Sequence, residues 1–113
     1  MEAAVPRTAV PLTAVTRDGI APPAETNGDP VNNHVISNNG RVVLLVRNAG
    51  TTAARTLTLR VRGTVDGQTV APRTVSIPTE ASRYVGPFPT DDYGALLQVD
   101  VDHAELKLTA LAL

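Results

Sequence analysis

Cysteine and tryptophan are absent from this 113-residue chain. Without cysteine there can be no disulfide, no thiolate zinc site and no cysteine nucleophile. The only aromatic residues are Tyr84, Phe88 and Tyr93. A core must therefore be assembled from Val, Leu, Ile and Ala, and the stacking platforms that single-stranded nucleic acids use are missing. Strong charge of either sign is also lacking: 10 basic against 11 acidic residues leave a formal net charge of −1. That supplies no electrostatic drive toward nucleic acid or an anionic membrane. No stretch approaches the ~18 consecutive apolar residues of a membrane span. The opening MEAAVPRTAVPLTAVTRDG does not read as a signal peptide, because Glu2 is acidic where a basic region belongs and Pro6, Arg7 and Pro11 break any apolar run. The expectation is synthesis in a cytoplasm.

What is present divides into two zones. Hydrophobic residues make up 42% and charged residues 19%, enough to pack one small domain. Residues 1–40 carry Pro6, Pro11, Pro22, Pro23 and Pro30 with the polar clusters TNGDPVNN and SNNG. Proline removes backbone donors while Asn and Gly favour turns, so this zone reads as an extended, proline-rich arm, with TAVPLTAV (8–15) its most ordered piece. Val5, Val10, Leu12, Val15 and Ile20 are spaced along it as apolar anchors. Extended segments of that kind bind by lying along a partner or adding a strand to its sheet edge. These five are the candidate partner-binding residues, and residues 41–113 are the expected folding unit.

From Arg41 onward the period is two. RVVLLVR (41–47) is apolar on both faces, as a central strand is, and TLTLRVR (56–62) alternates. Asp66-Gly67 is a two-residue hairpin signal, since both residues tolerate the positive φ of a type I′ turn. Short strands are expected around Val70, 74–77 and 83–85. LLQVDVD (96–102) alternates again, and ELKLTALAL closes the chain. Leu111 and Leu113 fall out of phase with Leu106 and Leu108, which requires either a bulge or cover on both faces. The predicted core is Val43, Leu45, Leu57, Leu59, Val61, Val75, Ile77, Leu97, Val99, Val101, Leu106 and Leu108. No window shows a 3.6-residue period, and strands recur at the spacing of an all-β sandwich. Asn48-Ala49-Gly50 reads as the end of a buried strand, Asn capping the ladder and Gly bending the chain.

Chemistry is sparse. Asp100, Asp102, His103 and Glu105 form D-x-D-H-x-E, but a hard cation needs six to eight oxygens, and a solvated face entering a turn explains the pattern. Asn27, Asp29, Asn32 and Asn33 make an oxygen-rich loop without EF-hand order. Asp91 and Asp92 read as a turn. Ser37, Ser76 and Ser82 lack a G-x-S-x-G context, His34 and His103 are the only histidines, and no glycine-rich phosphate loop is present. The expectation is no enzyme, no catalytic or cofactor-binding residue, no cofactor and no metal. Arginine is in excess, nine against the single Lys107. That composition suits either interface ion pairs or GC-rich codon usage.

The apolar strand into Asn48-x-Gly50, the Asp66-Gly67 hairpin and TVSIP (74–78) resemble bacterial immunoglobulin-like modules of the CARDB type. RYVGPFP followed by YG, within residues 83–94, is similar to small virion proteins of actinobacterial tailed phages. The resemblance covers about residues 39–113 and contains no catalytic motif. It implies an immunoglobulin-like β-sandwich acting as a capsid decoration protein on the virion exterior. The major capsid protein would be its partner, and copies of itself would form a homotrimer or ring at a lattice symmetry axis; neither nucleic acid nor membrane is implied. A carbohydrate- or cell-surface-binding module on a virion tail or bacterial surface is the alternative. Aromatics exposed in a groove would favour it.

Overall fold

The computed structural model describes residues 7–113, so Val5 lies outside the described residues. The strands are β1 (Thr8–Ala9), β2 (Leu12–Ala14), β3 (Thr26–Asn27), β4 (His34–Ser37), β5 (Val42–Asn48) and β6 (Arg55–Leu59). They continue with β7 (Thr64–Val65), β8 (Gln68–Thr69), β9 (Arg73–Ile77) and β10 (Ser82–Val85). A single helical turn, α1 (Thr90–Tyr93), precedes β11 (Leu96–Val101) and β12 (Leu106–Ala112). The described chain is nearly all β, as the period-two pattern requires.

Pairing is nested. β6 pairs with β9, β5 with β10, β4 with β11 and β3 with β12, all antiparallel. Residues 26–112 therefore form one long antiparallel ribbon turned back on itself between β6 and β9. Rolling this ribbon sets β5 against β12 and β6 against β11, again antiparallel. Two sheets result, ordered β3-β12-β5-β10 and β4-β11-β6-β9. Eight antiparallel strands so arranged make a jelly roll. The expected immunoglobulin order differs, because it keeps several chain-consecutive strands side by side in one sheet. Here only β6 and β9 do so among these eight, and every other step changes sheet. Alternation identifies a strand but not its neighbour, so the two orders look the same at the level of sequence pattern.

The N-terminal region is also built into the fold, which corrects its reading as a separate arm. β1 runs parallel to β4 and β2 runs parallel to β12, so the chain crosses from one sheet to the other at Val10-Pro11. Pro11 falls at the crossing, between strands, where its missing N–H interrupts no ladder. β4 lies inside its sheet between β1 and β11, so a folding unit beginning at Arg41 lacks an interior strand. Val10 and Ile36, at 4% and 1% exposure, belong to the core. Strands of two to four residues carry no readable period, which is why they pass for loop.

Leu57, Leu59, Ile77, Leu97, Val99, Val101, Leu106 and Leu108 are buried as expected, and Val61 and Val75 pack partly against them. Val43 and Leu45 are not core: Val42, Leu44 and Val46 point inward instead, all fully buried. Five consecutive apolar residues have no parity of their own, and Asn48 sets it. Its buried Nδ2 donates to Ala53 O at 3.1 Å and Ile77 O at 3.0 Å, while its Oδ1 accepts the Gly50 N–H at 2.9 Å. With Asn48 inward, residues 46, 44 and 42 follow.

The outward face of β5 and β12 is roofed by residues 15–25. Val15, Ile20, Pro22 and Pro23 line a largely apolar, half-open pocket of about 400 Å³ over Leu45, Thr109 and Leu111, with Tyr84 of β10 also in its lining. Glu25 anchors the roof through a bidentate pair with Arg47, at 2.8 and 2.9 Å. β12 keeps an unbroken register with β5 from Leu106 to Ala112, so Leu111 is explained by this cover and not by a bulge. Asp66 and Gly67 have φ of 53° and 73°, the type I′ turn foreseen between β7 and β8.

Candidate binding groove

A two-sheet fold has two flanks where the sheet edges face each other, and this chain treats them differently. One flank is closed by β1, β2 and the crossing between them. On the other, β9 ends one sheet and β10 ends the other, and neither has a further strand paired to it among the described residues. Between them runs a groove of about 560 Å³, lined by Arg73 and Val75 from β9, by Arg83, Tyr84 and Val85 from β10, and by residues of the segment 86–93. All three aromatic residues of the chain line it. Phe88 and Tyr93 form its buried base, in edge-to-face contact at 5.3 Å and 76°. Tyr84 stands 71% exposed on the rim.

The base is held from behind. Buried Asn38 donates from Nδ2 to Phe88 O and Gly94 O, both at 2.9 Å, and its Oδ1 accepts the Gly40 N–H at 3.0 Å. Gly86 makes the bend out of β10 with φ of +141°. A Cβ there would meet Val42 O at 2.6 Å, so only glycine fits.

Register makes the arginines unusual. Arg73 pairs with buried Leu59, and Arg83 with buried Val46. Both therefore occupy inward-facing positions, in phase with Val75 and Ile77 on β9 and with Val85 on β10. At an edge a long side chain escapes sideways and keeps its head in water. Neither guanidinium is ion-paired among the described residues, whereas Arg7, Arg47, Arg55 and Arg60 all are. Asp92 is the one acid in the lining among the described residues. Its main-chain carbonyl accepts the N–H groups of Arg62 and Gly63 at 2.7 and 3.0 Å, and its carboxylate is in no ion pair among the described residues.

The residues singled out from sequence go elsewhere. Val10 is core, Leu12 packs against the core, and Val15 and Ile20 form the roof over β5 and β12. Four of the five candidate anchors thus serve the chain's own fold. Asp100 lies on the outer face of its sheet between Arg7 at 2.6 Å and Arg60 at 2.5 Å. Burial pushes its carboxyl up, but the two guanidinium groups outweigh that and hold it below the usual carboxylate range. Asp102 is exposed, while Glu105 pairs with Arg55 at 2.8 Å. Among the described residues no three His, Asp or Glu side chains are grouped to hold a metal ion. The Asn27–Asn33 loop is turn chemistry: Asp29 Oδ1 accepts the N–H groups of Val31 and Asn32, and Asn33 adopts φ of 60°.

His34 is fully buried with both ring nitrogens engaged. Nε2 accepts the Asp29 N–H at 2.9 Å, which leaves Nδ1 to donate to Thr8 O at 3.2 Å. It ties β1 and the 29–33 loop to β4 and has no nitrogen free to serve a serine. Ser37, Ser76 and Ser82 are exposed on three different strands.

The count of nine arginines does not by itself distinguish Arg73 and Arg83 from the rest; their register does. The signal was legible: R-x-V-x-I at 73–77 and R-x-V at 83–85 place arginine in phase with apolar residues. No family model, curated protein or solved structure matches the chain.

Proposed function

We propose that the chain is a structural protein of a phage virion, a decoration protein that binds the outer surface of the capsid lattice. The observation that carries a binding role is the asymmetry of the two flanks: one is sealed by the chain's own N-terminal strands, the other leaves two strand edges and a groove open. Fixed edges beside an apolar base suit protein docking. The jelly roll is used by viral capsid domains and also by lectins, so the fold supports a virion role by analogy alone. The resemblance of residues 83–94 to virion proteins falls on the groove itself. In this reading the open flank, and not residues 1–40, meets the capsid, and copies arranged about a lattice symmetry axis form a closed set.

Carbohydrate binding is the second reading, because Tyr84, Phe88 and Tyr93 share one groove. It is the weaker one, since Phe88 and Tyr93 are 2% and 8% exposed and only Tyr84 offers a ring face for a sugar. Co-sedimentation with shells assembled from the major capsid protein of an actinobacterial tailed phage tests the first reading. Saturable binding at a fixed ratio to capsid subunits is expected. Pelleting with cell-wall polysaccharide but not with shells would overturn it.

A further inference from the structure

We infer that the open groove receives an extended, acidic segment of a partner protein, laid along the β9–β10 flank with carboxylates on Arg73 and Arg83. The inference rests on the groove being a protein-binding site.

Like charges on the two walls of one groove repel. Four arginines have carboxylate partners at 2.5–2.8 Å, while Arg17, Arg41, Arg62, Arg73 and Arg83 have none among the described residues. Of these five only Arg73 and Arg83 share a groove; Arg83 also donates to Ser82 O at 2.8 Å. The inward-facing positions of Arg73 and Arg83 matter too. A purely apolar role would be met by Val or Ile, and a purely solvating one would place arginine in the opposite phase. Guanidinium presents a planar fork that matches a carboxylate in two parallel hydrogen bonds, so the missing complement is an oxyanion. Extension follows from shape, because the walls are two strand edges with no further strand paired to them among the described residues. A chain added beside an edge alternates its side chains at period two, sending every second one toward the groove. The apolar base of Phe88, Tyr93, Val75 and Val85 suits the aliphatic part of glutamate. Asp92, in the same lining, disfavours a second acid next to itself and points to the Arg73–Arg83 end as the anchoring end.

The competing explanation is that inward-pointing charges at edge strands guard against edge-to-edge aggregation. The experiment separates the two. Capped peptides of seven residues alternating threonine with glutamate, and their threonine–glutamine counterparts, are titrated into the full chain by NMR. A sulfated disaccharide is titrated in parallel. Expected are shifts confined to residues 73–75, 83–89 and 93, and binding of the glutamate peptide at least about tenfold tighter than the glutamine peptide. Weakening with added salt is also expected. Arg73→Gln and Arg83→Gln should each weaken binding about tenfold or more, with Arg73→Lys and Arg83→Lys intermediate because they keep charge but lose the fork. Thermal melts confirm that each variant is folded, and the lysine variants keep the test alive if a glutamine variant is not.

Three results would overturn the inference: no binding of either peptide; equal binding of both; or a preference for the sulfated sugar. Failure to bind peptide together with self-association of the Arg→Gln variants would assign both arginines to edge protection. Shell co-sedimentation is scored separately. Shell binding without peptide binding rejects the acidic segment and leaves the decoration role standing, and the reverse rejects that role alone.

Discussion

Asn48 shows how much one polar side chain decides. It orients a strand whose apolar residues are indifferent to face, because a buried amide must satisfy its donors and acceptor whereas valine and leucine need only cover. Leu44→Ala should therefore cost about 2–5 kcal/mol in urea unfolding. Leu45→Ala, beneath the 15–25 roof, should cost about half that or less. Equal losses would return β5 to the opposite parity. His34 makes a second prediction. Burial lowers its imidazole below the ordinary value of 6.5; Asp29, Asp100 and the Thr8 carbonyl oppose that shift, and Arg7 adds to it. Protonation would also set Nε2–H against the Asp29 N–H. The unfolded chain thus binds the proton more readily, so the stability His34 contributes is complete above pH 6.5 and is lost as pH falls through the lowered folded value. Urea midpoints of the parent should decline between pH 7.5 and the mildly acidic range, and His34→Gln should flatten that decline. Asp29 and Asp100 act in a separate window below 3.8, since hydrogen bonds and ion pairs lower both.

At the scale of elements, the N-terminal strands are short but are held by more than their ladders. Val10 fills the core, Arg7 donates to Asp100 and to His34 O at 2.6 and 3.2 Å, and Thr8 O accepts a hydrogen bond from His34 Nδ1. Deleting residues 1–14 should lower the urea midpoint clearly, since burial of one valine is itself worth about 1.5–3 kcal/mol. Deleting residues 1–40, which takes β4 from inside its sheet, should abolish cooperative unfolding; circular dichroism during urea titration reads both. An unchanged midpoint in the shorter deletion would restore the independent arm. The bend after β10 is equally specific. Gly86→Ala forces a side chain into a left-handed backbone and onto Val42 O, and a loss of about 1–3 kcal/mol is expected from the strain.

For the whole molecule, the nested ribbon joins the ends of the chain last. Asn27 pairs with Lys107 and Leu12 with Ala110, contacts that repay their loop-closure entropy only after the intervening chain is ordered. Refolding from urea should fall in the millisecond-to-second range of non-local β domains, not in microseconds. Stopped-flow circular dichroism checks it. The same topology creates the groove, because rolling the ribbon leaves β9 and β10 as the edges of opposite sheets, joined in the chain by residues 78–81.

Local chemistry was legible in the residues: the alternation of β6, β11 and most of β12, the Asp66-Gly67 turn, the Asn48-x-Gly50 strand end and eight of the twelve expected core residues. Those features depend on neighbours along the chain, where spacing is fixed by covalent geometry. Three things were decided only in three dimensions: strand order, the face of β5, and the union of Arg73 with Arg83 and of Tyr84 with Phe88 and Tyr93. Each depends on which strand lies beside which. Period two says that a strand has two faces, but not which neighbour it pairs with, and the roof formed by residues 15–25 makes both faces of β5 apolar. Pairing is set by packing of the complete core around buried groups such as Asn48 and His34. The groove appears only after that packing has closed one flank and left the other open.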